Sequence, residues 1–216
     1  MLKGFGWACL LAGAAWGQQP ESGAKLWEIG AIGGYGYAPR LTVTGPSGSA
    51  DTGLKNGALV GVFGGNDSYN YWSGEARYLY RYSDLTLSSG GAKVDFGGHT
   101  HIVTGDILGH FRPRTARIRP FIGFGGGVKL LKGTGIESAA QPLGRLAALT
   151  RTQETLATAD VAFGVKVNWR KSFRLRFEVH DYISHSPSKV IAAAPGASLT
   201  GMMNDIQGQV SVSYTW

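Results

Sequence analysis

Several sets of residues in this sequence have side chains suited to chemistry. The largest is a set of charges of both signs, each on an alternate position of an otherwise apolar or glycine-rich segment: Glu28, Glu75, Arg77, Arg81, Asp106, Lys129, Asp160, Lys166, Arg174, Arg176 and Glu178. Acids and bases interleaved in this way either line a gated path for ions or satisfy one another as a buried ion-pair and hydrogen-bond network. A second set is the segment EVHDYISHS, where His180, Asp181, Ser184 and His185 bring an imidazole, a carboxylate and hydroxyls together. These are the groups of a hydrolytic triad, but a triad is defined by geometry, and the alternative is a hydrogen-bonding histidine with Asp181 as a rim charge. His99, His101 and His110 form a third set; residues 99 and 101 share a strand face, yet no third ligand lies nearby in sequence. The run RPRTARIRP at 112–120 is a dense basic patch that would suit phosphate groups. GFGGGVK at 123–129 superficially suggests a phosphate loop, but it lacks Walker spacing and no helix follows it. No catalytic residue, cofactor or metal site is therefore assigned, and the charges are read as a structural lumen network.

The elements that must position these groups are strands. From residue 25 onward the dominant signal is a period of two, which gives a strand two chemically different faces. In the last segment Ile206, Gly208, Val210, Val212, Tyr214 and Trp216 oppose Asp205, Gln207, Gln209, Ser211, Ser213 and Thr215. The same alternation marks 26–37, 75–82, 100–111, 119–130, 159–169 and 173–182, and 57–65 (GALVGVFGG) is strand-like with faces that cannot be told apart. Eight strands follow, joined alternately by short turns (66–72, 112–118, 170–172) and long loops (38–56, 83–98, 131–158, 183–204). That layout describes an up-and-down antiparallel meander. The loop 131–158 has room for a short helix or an extra hairpin.

Composition restricts the class further. Glycine supplies 34 of 216 residues without a Gly-X-Y period, and only 16% of residues are charged against 43% hydrophobic, so neither collagen nor a disordered chain fits. The segment MLKGFGWACLLAGAAWG has one early cation, a short apolar run and a small-residue boundary at Ala15-Trp16-Gly17, the pattern of a cleaved signal peptide over residues 1–17. Residues 18–216 then form one domain without cysteine, because Cys9 is the only one in the chain. The formal net charge of +7 drops by one without Lys3, and an exported chain of this kind is expected to meet no nucleic acid.

Alternation alone leaves open which face lies inside. A soluble lipocalin-like barrel would bury the apolar face. The inverted arrangement is favoured by glycines on the charged face, which leave room for long side chains in a narrow interior. Aromatics at segment ends (Trp27, Tyr35, Tyr37, Tyr82, Phe111, Trp169, Tyr214, Trp216) would form interfacial girdles. Closure also satisfies strand edges in hydrocarbon.

The ending QVSVSYTW, with Val210, Val212 and Tyr214 leading to a terminal aromatic, resembles the C-terminal signature of bacterial outer-membrane β-barrels. The family's usual last residue is Phe; here it is Trp216. The resemblance implies that these residues are read by the barrel assembly machinery. Size, strand number and loop asymmetry resemble the small OmpA/OmpX-like barrels, without a peptidoglycan-binding domain. The expected fold is all-β: an eight-stranded antiparallel up-and-down transmembrane β-barrel with short periplasmic turns and long extracellular loops. Outer-membrane lipids and lipopolysaccharide are the expected surroundings, and the expected state is a monomer. The role expected is structural or surface interaction: envelope integrity, adhesion or loop-mediated binding. A narrow pore and a lipid acyl hydrolase or transferase are the alternatives.

Overall fold

The computed structural model describes residues 27–138 and 141–216, so the expected signal peptide lies outside the described residues. Eight long strands carry the architecture: β1 (Trp27–Tyr37), β2 (Gly57–Asn66), β3 (Trp72–Tyr82), β4 (Gly98–His110), β5 (Ile118–Gly133), β6 (Gln153–Arg170), β7 (Phe173–His185) and β8 (Ile206–Thr215). Each pairs antiparallel with its chain neighbours, and β8 also pairs with β1, from Glu28 opposite Thr215 to Tyr37 opposite Ile206. The sheet is thereby closed. At the seam the first and last described residues exchange backbone hydrogen bonds, Trp27 N to Trp216 O and Trp216 N to Trp27 O, both 3.2 Å.

The period-two pattern translates into an inverted barrel. Val60, Val62, Ile107, Phe124, Phe163, Phe177, Val179, Val210 and Val212 point outward and are exposed, while the charges of the same strands are buried. This wall suits hydrocarbon and no aqueous solvent. The aromatic rings fall into two belts. Trp27, Trp72, Phe111, Trp169, Phe173, Tyr214 and Trp216 surround the short-turn end, and Tyr35, Tyr37 and Tyr82 lie at the other. The faces of β2 are now assigned: Leu59 and Phe63 point inward, Val60 and Val62 outward. Inward glycines on β5 allow its neighbours to crowd the lumen. A Cβ on Gly125 would collide with the Asp106 carboxylate, and one on Gly127 with the Val103 carbonyl.

One expectation needs correction. The strands β5 and β6 run for 16 and 18 residues, beyond the 119–130 and 159–169 read from alternation, so the two ends of the 131–158 connection continue them as a projecting hairpin, and the connection carries no helix among the described residues. A span needs only about 9–11 residues, so this hairpin rises beyond the membrane. The long loops are also folded. Leu41–Gly45, Gly48–Leu54, Leu85–Ser89, Ala92–Phe96 and Ser198–Leu199 form a five-stranded sheet, and Ala147–Leu149 pairs with Ile191–Ala193. Ser89 and Ala92 are joined through Gly90 and Gly91, both at positive φ (56° and 86°), the backbone a two-residue hairpin turn of this hand requires. Val43, Leu54, Leu87, Phe96, Leu149, Val190 and Ile191 are buried together beneath this cap. The molecule therefore has a second apolar core outside the barrel.

Candidate functional site

Every charge assigned to the lumen from sequence is buried there, and the side chains join into three connected tiers. At the short-turn end, Glu28 accepts hydrogen bonds from Ser213 (2.6 Å), Arg174 (3.2 Å) and Lys166 (3.4 Å). Asp67, from the turn after β2, accepts from Arg119 (2.7 Å) and Arg174 (2.8 Å). Burial alone would raise the Asp67 carboxyl, but Lys166, Arg119 and Arg174 outweigh it and hold that group well below the ordinary carboxylate range.

In the middle tier Arg176 grips Glu75 through two hydrogen bonds (2.8 and 3.2 Å), also contacts Glu178, and lies 4.4 Å from the Phe63 ring centroid. Arg77 contacts Glu75, approaches Asp106 at 3.3 Å, and donates to Gln209 at 2.9 Å. His180 sits between Asp160 (2.9 Å at Nδ1) and Arg77 (2.8 Å at Nε2). In the upper tier Arg81 pairs with Asp205 (2.7 Å), and Lys129 donates to the Tyr182 carbonyl (3.1 Å).

The network holds Glu28, Asp67, Glu75, Asp106, Asp160, Glu178 and Asp205 against Arg77, Arg81, Arg119, Lys129, Lys166, Arg174 and Arg176. Asp67, Arg119 and Asp205 belong to it although they were outside the sequence-derived set. The lumen is not wholly charged, which corrects that expectation. Ile32, Leu59, Phe63, Leu79 and Ile102 pack with Tyr182 on the side formed largely by β1–β4. Against this apolar half the guanidinium groups of Arg77, Arg81 and Arg176 and the Lys129 ammonium are at most 2% exposed.

The other candidates disperse. Both nitrogens of His180 are engaged, and Ser184 lies by Lys129 (3.5 Å), so EVHDYISHS builds no relay to a nucleophile. A different pair has the right contact: Ser73 Oγ lies 2.9 Å from His110 Nε2. Asp67, however, approaches that same Nε2 at 3.9 Å, and both side chains are buried, so neither orientation of the ring nor access for a substrate is provided. His99 and His101 face outward in an aromatic cluster, with Tyr80 stacked on His99 and the Tyr78 hydroxyl 2.8 Å from His101 Nδ1. Among the described residues no three metal-ligating side chains converge. The basic run divides: Arg114 and Arg119 turn inward to the Asp67 segment, while Arg112 and Arg117 are exposed. Val210, Val212, Tyr214 and Trp216 all lie on the outward face of the closing strand or at its end.

No protein-family model matches the sequence, and no curated protein matches it either. The fold does have counterparts. Neisserial surface protein A superposes with a TM-score of 0.54 at 8% identity, over 88% of this chain and 97% of that one. Outer membrane protein OprG from Pseudomonas aeruginosa superposes with a TM-score of 0.56 at 9% identity, over 89% and 97%. The fold of this chain is that of the small eight-stranded outer-membrane β-barrels.

Proposed function

We propose that this protein is an outer-membrane barrel whose sealed lumen serves as a rigid mount and whose folded cap is the working surface at the cell exterior, for adhesion or other binding. The observation that carries this reading is the pair of cores. Buried charges and an apolar wall fill the barrel, and a separate apolar cluster orders the segments that project from it. A mount of this kind also ties outer-membrane lipids and lipopolysaccharide around its aromatic belts, consistent with a part in envelope integrity. Insertion would proceed through the barrel assembly machinery acting on the outward residues of β8, and the folded product would be a monomer.

The purified protein in planar bilayers is expected to give no discrete conductance steps, and cells that display it are expected to lose surface binding when residues 85–96 are replaced by a Gly-Ser linker. Regular conductance steps from the intact protein would refute the mount and support a narrow pore. Turnover of phospholipid or lipid A by the purified barrel would instead support the acyl enzyme.

A further inference from the structure

Positive charge at the short-turn end is gathered on one sector. The turns after β4 and β6 are tied together by hydrogen bonds from Asn168 to the carbonyls of Arg117 and Ala116, both 2.8 Å. This places exposed Arg117 near exposed Arg170 and Lys171, with exposed Arg112 at the other end of the same turn. Among the described residues no carboxylate pairs with any of the four; Asp67 is taken by Arg119 and Arg174. The remaining turn at this end, 67–71, contributes no cation. Arg170 lies over the Trp169 ring, 5.5 Å from its centroid, and that ring stands in the lower aromatic belt with Phe111 and Phe173. The charges thus adjoin the level where headgroups meet hydrocarbon.

Directly above the same sector the outer wall carries a groove of about 550 Å³, lined by Phe163, Val165, Phe177, Val179, Gly208 and Val210. Phe177 and Val179 follow Phe173 by four and six residues, about 13–20 Å along a strand at ~3.3 Å per residue. With a tilt of about 40° this is roughly 10–15 Å of depth, inside the ~15 Å that one leaflet contributes to a ~30 Å hydrocarbon core. The groove therefore lies about 10–15 Å above the cationic cluster, the depth that the far end of an acyl chain reaches when its headgroup sits at the rim.

We propose that this sector holds an anionic phospholipid of the periplasmic leaflet, its phosphate among Arg112, Arg117, Arg170 and Lys171 and an acyl chain in the groove. The assignment to that leaflet rests on the orientation proposed above, with the short turns in the periplasm.

The test is lipid retention by the folded, detergent-purified protein in native mass spectrometry, titrated with dioleoyl-phosphatidylglycerol or dioleoyl-phosphatidylcholine. The wild type should retain dioleoyl-phosphatidylglycerol preferentially. Retention should fall about fivefold for each cation changed to alanine, until R112A/R117A/R170A/K171A shows no preference. Gly208→Phe leaves every charge in place and projects into the groove, where an added Cβ meets nothing within 4 Å. It should weaken dioleoyl-phosphatidylglycerol yet leave dihexanoyl-phosphatidylglycerol, whose chains are too short to enter, unchanged. Heat-dependent gel mobility confirms that each variant folds. Equal retention of both lipids by the wild type overturns the proposal. So does a pull-down with peptidoglycan sacculi that the quadruple variant loses while lipid retention stays intact, since the rim would then serve the cell wall. A cross-linked wild-type dimer that Gly208→Phe abolishes gives the groove to a second copy and overturns it as well. Labelling of Lys171→Cys by an impermeant maleimide on intact cells overturns the orientation and this leaflet assignment together. Absence of labelling with no lipid preference overturns this inference alone.

Discussion

Replacing Arg176 with methionine keeps most of the side-chain volume and removes the charge from the centre of the lumen. Arg176 is wholly buried, holds Glu75 in a two-pronged contact, touches Glu178, and stands 3.9 Å from Glu28. Its loss leaves those carboxylates facing one another with one fewer cation, in a buried space. Removing one member of a buried ion pair costs about 3–5 kcal/mol, because the partner's desolvation is no longer compensated. With a denaturant slope of about 2 kcal/mol per molar urea, the unfolding midpoint should drop by about 2 M, followed by tryptophan fluorescence in lipid vesicles. Adding Glu75→Gln removes one of the stranded charges, so the double variant should regain about 1–3 kcal/mol relative to the sum of the single changes. Conductance should stay silent in both. An unchanged midpoint for Arg176→Met, or the appearance of conductance steps without loss of stability, would show that the network is not what seals and supports the barrel.

Asp67 supplies a pH signature: its folded carboxyl titrates below the ordinary value near 3.8, so its contribution is present above about pH 4 and is lost as acidification protonates the folded group. Asp67→Asn should therefore be about 2–3 kcal/mol less stable at pH 7, with the gap closing below pH 4 in urea titrations; a gap that stays constant down to pH 3 contradicts this. Leu149 is fully buried in the cap, and Leu149→Ala should cost that core about 2–4 kcal/mol. Trypsin should then cut faster near Arg145 and Arg151 while heat-dependent gel mobility is unchanged. A parallel fall in the gel-mobility transition would mean that cap and barrel unfold as one unit.

The barrel was readable because two solvents act on each strand. Lipid outside and a charged interior impose opposite chemistry on successive residues, as in the run from Asp205 to Trp216. Where both faces are apolar the code fails, and Leu59 and Phe63 could be placed only by the closed sheet. Asp67 escaped notice because it lies in a turn, where no period operates, and its role depends on arginines about 50 and 110 residues away in sequence. The cap was hidden for another reason. Its strands are two to seven residues long and rich in Ser, Thr and Gly, and each supplies only a few apolar side chains to a core assembled from all four long connections. Of the candidate site, the charged positions were legible from the pattern. Their pairings were not, because partners sit across the barrel and are set by register.

The seam between Trp27 and Trp216 has a topological consequence. Because the two ends of the described chain hydrogen-bond to each other, the strand circuit has no structurally privileged origin among the described residues. A short peptide across that join would make the backbone a loop, free to be reopened at another exposed turn such as Gly90–Gly91 with the same register around the ring. Both ends of the described chain lie at the short-turn rim, on the side away from the cap.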